Sequence, residues 1–323
     1  MKTHCLIAAA MACGSVLLSP GAALAQSAGK PIRIIVPFAP GGGQDILARS
    51  FNSELGAALG QPVIVEYRAG GGGGVGTLFV AKSDPDGLTL SMSAASHIIS
   101  AVLTAKPAYH PIKDFTAVAH VGTGSQVLII SSQVPAKSVA EFVKYAKASP
   151  GKLNYGTAGS GSSTHLAMAY FANAAGVDIV HIPYKSNSDQ ISELVSGRLQ
   201  AIMIPSISAM AFAKDTRVTL LAVTPSVRSI FFPNLPTVAE SGYPGFNYAS
   251  WFGLLGPAGI SRSATERINV EMNKLLKLPV IAERLAKIGI EPQPLAPQQF
   301  EKLLVEDLER VEKIVKISGA HAE

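Results

Sequence analysis

The stretch IRIIVPFAPGGGQDILAR (residues 32–49) runs from a continuous apolar, β-branched segment through three glycines into a helix-like start. An apolar run without polar alternation reads as a strand buried on both faces. Beyond the glycines, QDILARSFNSELGAAL (44–59) places Leu47, Phe51, Leu55 and Leu59 at helical spacing, with Gly60 as a stop. A strand that turns through glycine into a helix leaves backbone N–H groups unpaired at the positive end of the helix dipole. Such a turn favours a small anion. At this point the anion is open: a nucleotide, a catalytic oxyanion, or the carboxylate of a molecule that is only carried.

The same rhythm continues through the chain. PVIVEYR (62–68), LTLSMSA (88–94), QVLIISS (126–132), LNYGTAG (153–159), DIVHIPY (178–184), LQAIMIP (199–205), VTLLAVT (218–224) and WFGLLGP (251–257) read as further strands. Helix-like segments lie between them. Ser138 with Glu141, and Ser263 with Glu266, have capping-box spacing, and residues 300–317 form an amphipathic helix charged on its outer face. This alternation predicts an α/β protein with mostly parallel sheets, and 323 residues are enough for two of them. No repeat or low-complexity linker interrupts it.

The N-terminus, MKTHCLIAAAMACGSVLLSPGAALAQS, has one lysine, a small-residue apolar stretch and Ala-Leu-Ala before Gln26. That is the layout of a secretory signal peptide cleaved after Ala25. Gly14, Pro20 and Gly21 interrupt the run, which is short for a membrane span. Cys5 and Cys13, the only cysteines, both lie inside it, so neither disulfides nor a cysteine metal site are expected in the mature protein. Cleavage removes Lys2 and no acidic residue, taking the formal net charge from +5 to 5 − 1 = +4. No basic run accompanies that charge, which argues against a nucleic-acid partner and leaves a modest preference for anionic small molecules.

LNYGTAGSGSSTHLAMAYF (153–171) repeats the device of residues 32–49: strand, Gly/Ser turn, helix. In parallel α/β sheets ligands sit beyond the carboxyl ends of strands, where both turns fall. Ser160, Ser162, Ser163 and Thr164 add hydroxyls, and Gly161 lets a backbone approach closely. Either turn alone also suits an ordinary tight connection with an N-cap serine. Asp45, in the first turn of its helix and four residues before Arg49, is placed for the dipole and an ion pair; accepting from a ligand ammonium or hydroxyl is its other option.

Rival chemistries find less support. GGGGVG (71–76) fits the dinucleotide glycine pattern, but within five consecutive glycines that match is nearly automatic, and no acidic residue about 20 positions on holds a ribose. GK[ST] and the nucleophile elbow G-x-S-x-G are absent, as is H-x-x-x-H. No cofactor or metal is therefore expected. An exported serine hydrolase using Ser162 or Ser163 with His165 stays open as the enzymatic alternative.

Taken together, VPFAPGGGQDILAR, LGQPVIVEYRAGGGGGVG, SDPDGLTL, KDFTAVAHVG, PGKLNYGTAGSGSSTHLA, GVDIVHIPYK, LAVTPSVRS, PNLPTVAESGYPGF and WFGLLGPAG resemble the substrate-binding proteins of tripartite tricarboxylate transporters, the Bug-type periplasmic receptors. The resemblance implies a type II periplasmic-binding-protein fold, with residues 26–125 plus 248–323 as one domain and 126–247 as the other, closing on ligand. It implies a monomer in the periplasm that holds a small organic carboxylate and delivers it to a membrane permease. A receptor presenting bound ligand to a sensor would use the same clamp. The family's binding turns map onto Phe38, Pro40, Gly41, Gly42, Gly43 and Asp45, and onto Thr157 and Ser160 to His165. Ser93 and His97 are a third wall, and Ser206 lies in IPSIS, where relatives often carry an aspartate. PYKS departs from the family's PYKG at Ser186. The missing aspartate, with Phe38 and His97 near the cleft, points to a non-amino carboxylate, aromatic dicarboxylates such as terephthalate among them. Trp251 falls at the expected return crossing.

Overall fold

The computed structural model describes residues 29–184, 187–318 and 320. The expected signal peptide and Ser186 lie outside the described residues. β1 (Ile32–Val36) leads into α1 (Gly43–Arg49) and α2 (Asn52–Leu59), β2 (Val63–Tyr67) into α3 (Gly74–Ala81), and β3 (Thr89–Ala94) into α4 (Ser96–Leu103), before β4 (Phe115–Gly124). Only Ser125 separates β4 from β5 (Gln126–Ser131), which is followed by α5 (Val139–Lys147), β6 (Asn154–Thr157) and α6 (Ser163–Ala175). Then come β7 (Val180–Pro183), α7 (Asn187–Val195), β8 (Ala201–Pro205), the single turn α8 (Ser206–Ala209) and β9 (Val218–Val223). The chain returns through β10 (Ser250–Pro257), α9 (Arg262–Leu275), α10 (Pro279–Ala286), β11 (Glu291–Pro292) and α11 (Pro297–Ser318).

These strands form two sheets, as the alternation predicts: β11-β4-β10-β3-β1-β2 and β7-β6-β8-β5-β9. They are mixed rather than mostly parallel. β1 pairs in parallel with β2 and β3, and β6 with β7 and β8, whereas β10 and β5 run antiparallel to both of their neighbours. The physical reason is the crossover. β4 runs out of the first sheet straight into β5 of the second, and β10 comes back, so the middle of each sheet carries strands of opposite direction. β4 itself, FTAVAHVGTG, is a strand that the periodicity did not single out.

Ile32, Ile34 and Val36 of β1 pack with Leu47, Phe51 and Leu55 and with Met272 and Leu285, while Arg33, the one charged residue of the strand, is half-buried and reaches Thr89 and Glu66. A second cluster joins Ile98, Trp251, Phe300 and Leu304 to Leu166 and Phe171 of α6. Through it α11 packs against β4 and α4 on one side and α6 on the other, so the C-terminal helix touches elements of both sheets.

Two local expectations change. The helix expected over 44–59 breaks at Ser50–Phe51, where the Ser50 hydroxyl donates to the Leu47 carbonyl and Phe51 leaves helical geometry (φ −140°). Ser138 caps α5 as expected, accepting from Glu141 N–H. α9, however, is capped by Ser261 and not Ser263. Ile260, buried just before the cap, sets that start, and Glu266 pairs with Arg262 instead.

Candidate functional site

The register brings each of the two turns to the edge of its own sheet where the chain crosses between the sheets. In the first sheet Ala94 faces Phe252 and Gly124 faces Ser250, so β3 and β4 end at one edge, and β1, paired Ile35 to Ser91, ends there too. In the second sheet Gln126 faces Pro205 and Val127 faces Val223, while Gly156 faces Ile202. The carboxyl ends of β6, β8 and β9 therefore share the edge at which β5 begins. With only Ser125 between β4 and β5, these two edges meet at the crossover. The turn after β1 and the turn after β6 leave from them.

In the first turn Gly41 adopts φ +86°, and its N–H donates to Asp45 Oδ2 at 2.7 Å. Asp45 Oδ1 accepts from Arg49 Nε and from the Tyr67 hydroxyl, each at 2.8 Å. Burial pushes the Asp45 carboxyl up, but the bonds from Gly41, Tyr67 and Arg49 outweigh it and hold the group below its usual range. Both oxygens are thus occupied by the protein's own donors, and Asp45 acts as the clasp of the turn. Asp45→Ala is expected to lower stability by about 1–3 kcal/mol, the scale for hydrogen bonds to a charged group, read as a shift of the urea midpoint.

Gly42 and Gly43 have no such internal reason to be glycine. A Cβ on Gly43 would meet nothing within 4 Å, and one on Gly42 only the Ala39 carbonyl oxygen at 3.6 Å. Among the described residues the N–H groups of Gly42, Gly43 and Gln44 find no acceptor. Pro40 and Gly41 to Gly43 are exposed. Open space in front of unpaired donors is what an approaching carboxylate requires.

In the second turn Gly159 (φ +106°) and Gly161 (φ +72°) make the bend. Ser162 caps α6, accepting from His165 N–H at 3.2 Å, and Thr164 Oγ1 accepts from Ala158 N–H at 2.9 Å. Ser163 Oγ accepts from Gln126 Nε2 at 2.7 Å and lies 3.3 Å from the Tyr248 hydroxyl, tying the helix start to β5 and the return segment. The backbone N–H groups of Ser160, Ser163 and Thr164 remain unpaired among the described residues. Thr157 Oγ1 lies 2.6 Å from His181 Nε2, and the His181 ring stacks on His165 at 3.9 Å. Gly161 N–H donates to His165 Nδ1 at 3.1 Å. That lone pair is spent on the turn, and the Ser162 hydroxyl meets the backbone of His165, not its ring. The arrangement is a cap and a stack, not a nucleophile with its base.

The third wall is built differently from its expectation. His97 Nε2 lies 2.8 Å from the Pro111 carbonyl oxygen; a carbonyl only accepts, so this nitrogen carries the proton. The ring packs among Tyr109, Phe115 and Trp251, and burial lowers its pKa to about 4. Ser93 donates to Ser91 Oγ at 3.0 Å. Both residues line a recess of about 10 Å³ together with Phe38, Gln44, Gly73 and Tyr109. Ser206 lies at the crossover: it is buried, its hydroxyl bonds that of Ser125, and its N–H donates to the Ser125 carbonyl.

Ser96 lies within the Ser93 to His97 wall and Gln44 within the first turn; Gly72, Gly73, Thr77 and Tyr109 were not anticipated as part of this wall. The glycine run set aside as a nucleotide motif is the third strand-to-helix turn. Gly73 (φ +96°) lies so close beneath Phe38 that a Cβ would come within 3.0 Å of the ring. The recess therefore gathers the turns after β1, β2 and β3. The run itself was the available signal for Gly72 and Gly73; Tyr109 sits in a loop with no periodicity to announce it.

Known proteins share this fold. A solved structure of the periplasmic binding protein BugD is 27% identical, covering 91% of this chain and 99% of its own, with a TM-score of 0.68. An R. palustris protein solved with adipate is 29% identical over 91% of this chain and 98% of its own (TM-score 0.71). MatC from Rhodopseudomonas palustris, solved with bound malate, is 29% identical over 89% of this chain and 99% of its own (TM-score 0.67). The fold is that of periplasmic solute-binding proteins, and the relatives are binding proteins. With residues 47–320 matching the tripartite tricarboxylate transporter family receptor, the chain belongs to that family.

Proposed function

We propose that this receptor captures a small organic dicarboxylate between the turns after β1 and β6 and delivers it intact to the permease of a tripartite tricarboxylate-type transporter. The observation that carries this is the pair of strand-to-helix turns at the crossover edges of the two sheets, each with backbone N–H groups unpaired among the described residues and one with open space before it. Residues 26–125 plus 248–323 and residues 126–247 act as the two closing domains of a monomer, released into the periplasm by cleavage after Ala25. The adipate and malate held by the two solved relatives support a ligand of that size. With His97 enclosed by other rings, Phe38 is left as the aromatic face for a ligand such as terephthalate, which enters the test as the aromatic arm.

The test is a thermal-shift and calorimetric titration of mature protein with malate, adipate, citrate and terephthalate. A ligand at 100 times its Kd adds about 2.7 kcal/mol to stability, so the melting temperature is expected to rise by about 5 °C for at least one of them. Flat titrations throughout, with no organic acid carried in native mass spectrometry, overturn the reading.

A further inference from the structure

The recess behind the first turn carries an imbalance of hydrogen-bonding groups. Three donors on its wall are spent inside the protein. Ser93 donates to Ser91 Oγ at 3.0 Å, the Tyr109 hydroxyl donates to the His97 carbonyl at 2.8 Å, and His97 Nε2–H donates to the Pro111 carbonyl. Against these stand two acceptors, His97 Nδ1 and Gln44 Oε1, both buried and neither with a partner among the described residues. His97 is 5% and Gln44 8% exposed, so water outside the recess does not satisfy them. A buried acceptor left unpaired is costly, and a group that supplies a donor there recovers that cost on binding.

The room is small. About 10 Å³ holds one water-sized group, such as a single hydroxyl. Position then narrows the chemistry. The backbone N–H of Gln44 belongs to the unpaired set of the first turn, and its side chain lines the recess. A carboxylate at that turn therefore brings the group on its neighbouring carbon to the recess. An ammonium there would meet only neutral acceptors, since both Asp45 oxygens are already taken, and a buried charge without a counter-charge is strongly disfavoured. A neutral hydroxyl meets no such penalty.

We infer that His97 and Gln44 form a specificity subsite for the hydroxyl of a 2-hydroxy acid, so that the receptor discriminates hydroxylated carboxylates from the same skeletons lacking the hydroxyl. The inference rests on the carboxylate reading above. Sites that hydrogen-bond a ligand hydroxyl reject the analogue without it far more strongly than apolar pockets reject a missing methylene.

The experiment is isothermal titration of the mature protein with matched pairs, malate against succinate and citrate against tricarballylate, with aspartate as the ammonium counterpart of malate. The expected result is binding of the hydroxylated member of at least one pair about 30-fold or more tighter, with aspartate weaker than malate. His97→Phe keeps a ring and removes the lone pair; Gln44→Met keeps length and removes the amide. Each is expected to bring the ratio to about 3-fold or less by weakening the hydroxylated ligand more than the unsubstituted one. Circular dichroism checks that His97→Phe folds, and Gln44→Met carries the test alone if it does not. Equal binding within both pairs, a ratio unchanged in the folded variants, or a preference for aspartate overturns the inference while leaving carboxylate capture standing. Failure of every acid to bind, with none carried by the purified protein, overturns both.

Discussion

Gly43→Leu is expected to weaken carboxylate binding about 100-fold or more, equivalent to about 2.7 kcal/mol, while leaving the fold intact. Gly43 is the first residue of α1, with ordinary helical geometry and nothing within 4 Å of where a Cβ would stand, so a side chain there starts into open space. In a helix leucine is favoured over glycine, and an exposed substitution of this kind changes stability by about 0.5 kcal/mol or less. What the side chain does occupy is the space before the unpaired N–H groups. Gly253→Ala supplies the contrast: its Cβ would fall 2.5 Å from the Phe300 ring and 2.8 Å from the Ala119 carbonyl oxygen. That variant is expected to lose about 1–3 kcal/mol of stability through overpacking. Calorimetric titration and urea unfolding of both variants separate the two effects; undiminished binding by a folded Gly43→Leu protein removes the first turn from the site.

The second large effect is acid sensitivity. His97, His120 and His165 are each buried, and burial lowers each pKa to about 4; for His165 the neighbouring His181 adds to the shift. An unfolded histidine takes up its proton near pH 6.5. Between pH 6.5 and about 4 the unfolded chain therefore binds protons that the folded chain does not. The stability these neutral rings contribute is whole above pH 6.5 and is lost as pH falls through that window. At pH 5 each site costs about 2 kcal/mol, and three together on the order of 6 kcal/mol, a large share of a typical total of about 5–15 kcal/mol. Asp307, whose carboxyl burial pushes up, works in the opposite direction and offsets part of this. Urea midpoints measured from pH 7.5 to pH 5 are expected to fall with the uptake of about two to three protons on unfolding. His120→Phe, which removes a ring packed on Phe300, is expected to lower that uptake by one. A midpoint independent of pH over this range shows that these rings are not held neutral.

Local chemistry was enough for the first turn. A continuous apolar run, three glycines and helical spacing act over neighbouring residues, and the structure places a strand, a bend and a helix there. The same holds for the Ser138 cap of α5. The cap of α9 was not legible in this way. Ser261 and Ser263 offer the same hydroxyl two residues apart, and the choice was made by Ile260 seeking the core, a contact distant in sequence. β4 escaped for a related reason: its partners are β10 and β11, more than a hundred residues further on.

The site divides along the same line. Which residues make the two turns is written in their glycines and hydroxyls, because a close backbone approach and the start of a helix are local properties. That Asp45 is a clasp, that Ser206 lies at the crossover and that His97 presents an unpaired acceptor beside Gln44 was decided only by tertiary structure. Tyr67, Ser125, Pro111 and Tyr109 supply those partners from other elements, and whether a polar atom is spent or left over depends on all of its neighbours at once. The sequence by itself determined two strand-to-helix turns built of glycines and hydroxyls; the packing around those turns decided which of their polar groups remain unpaired among the described residues.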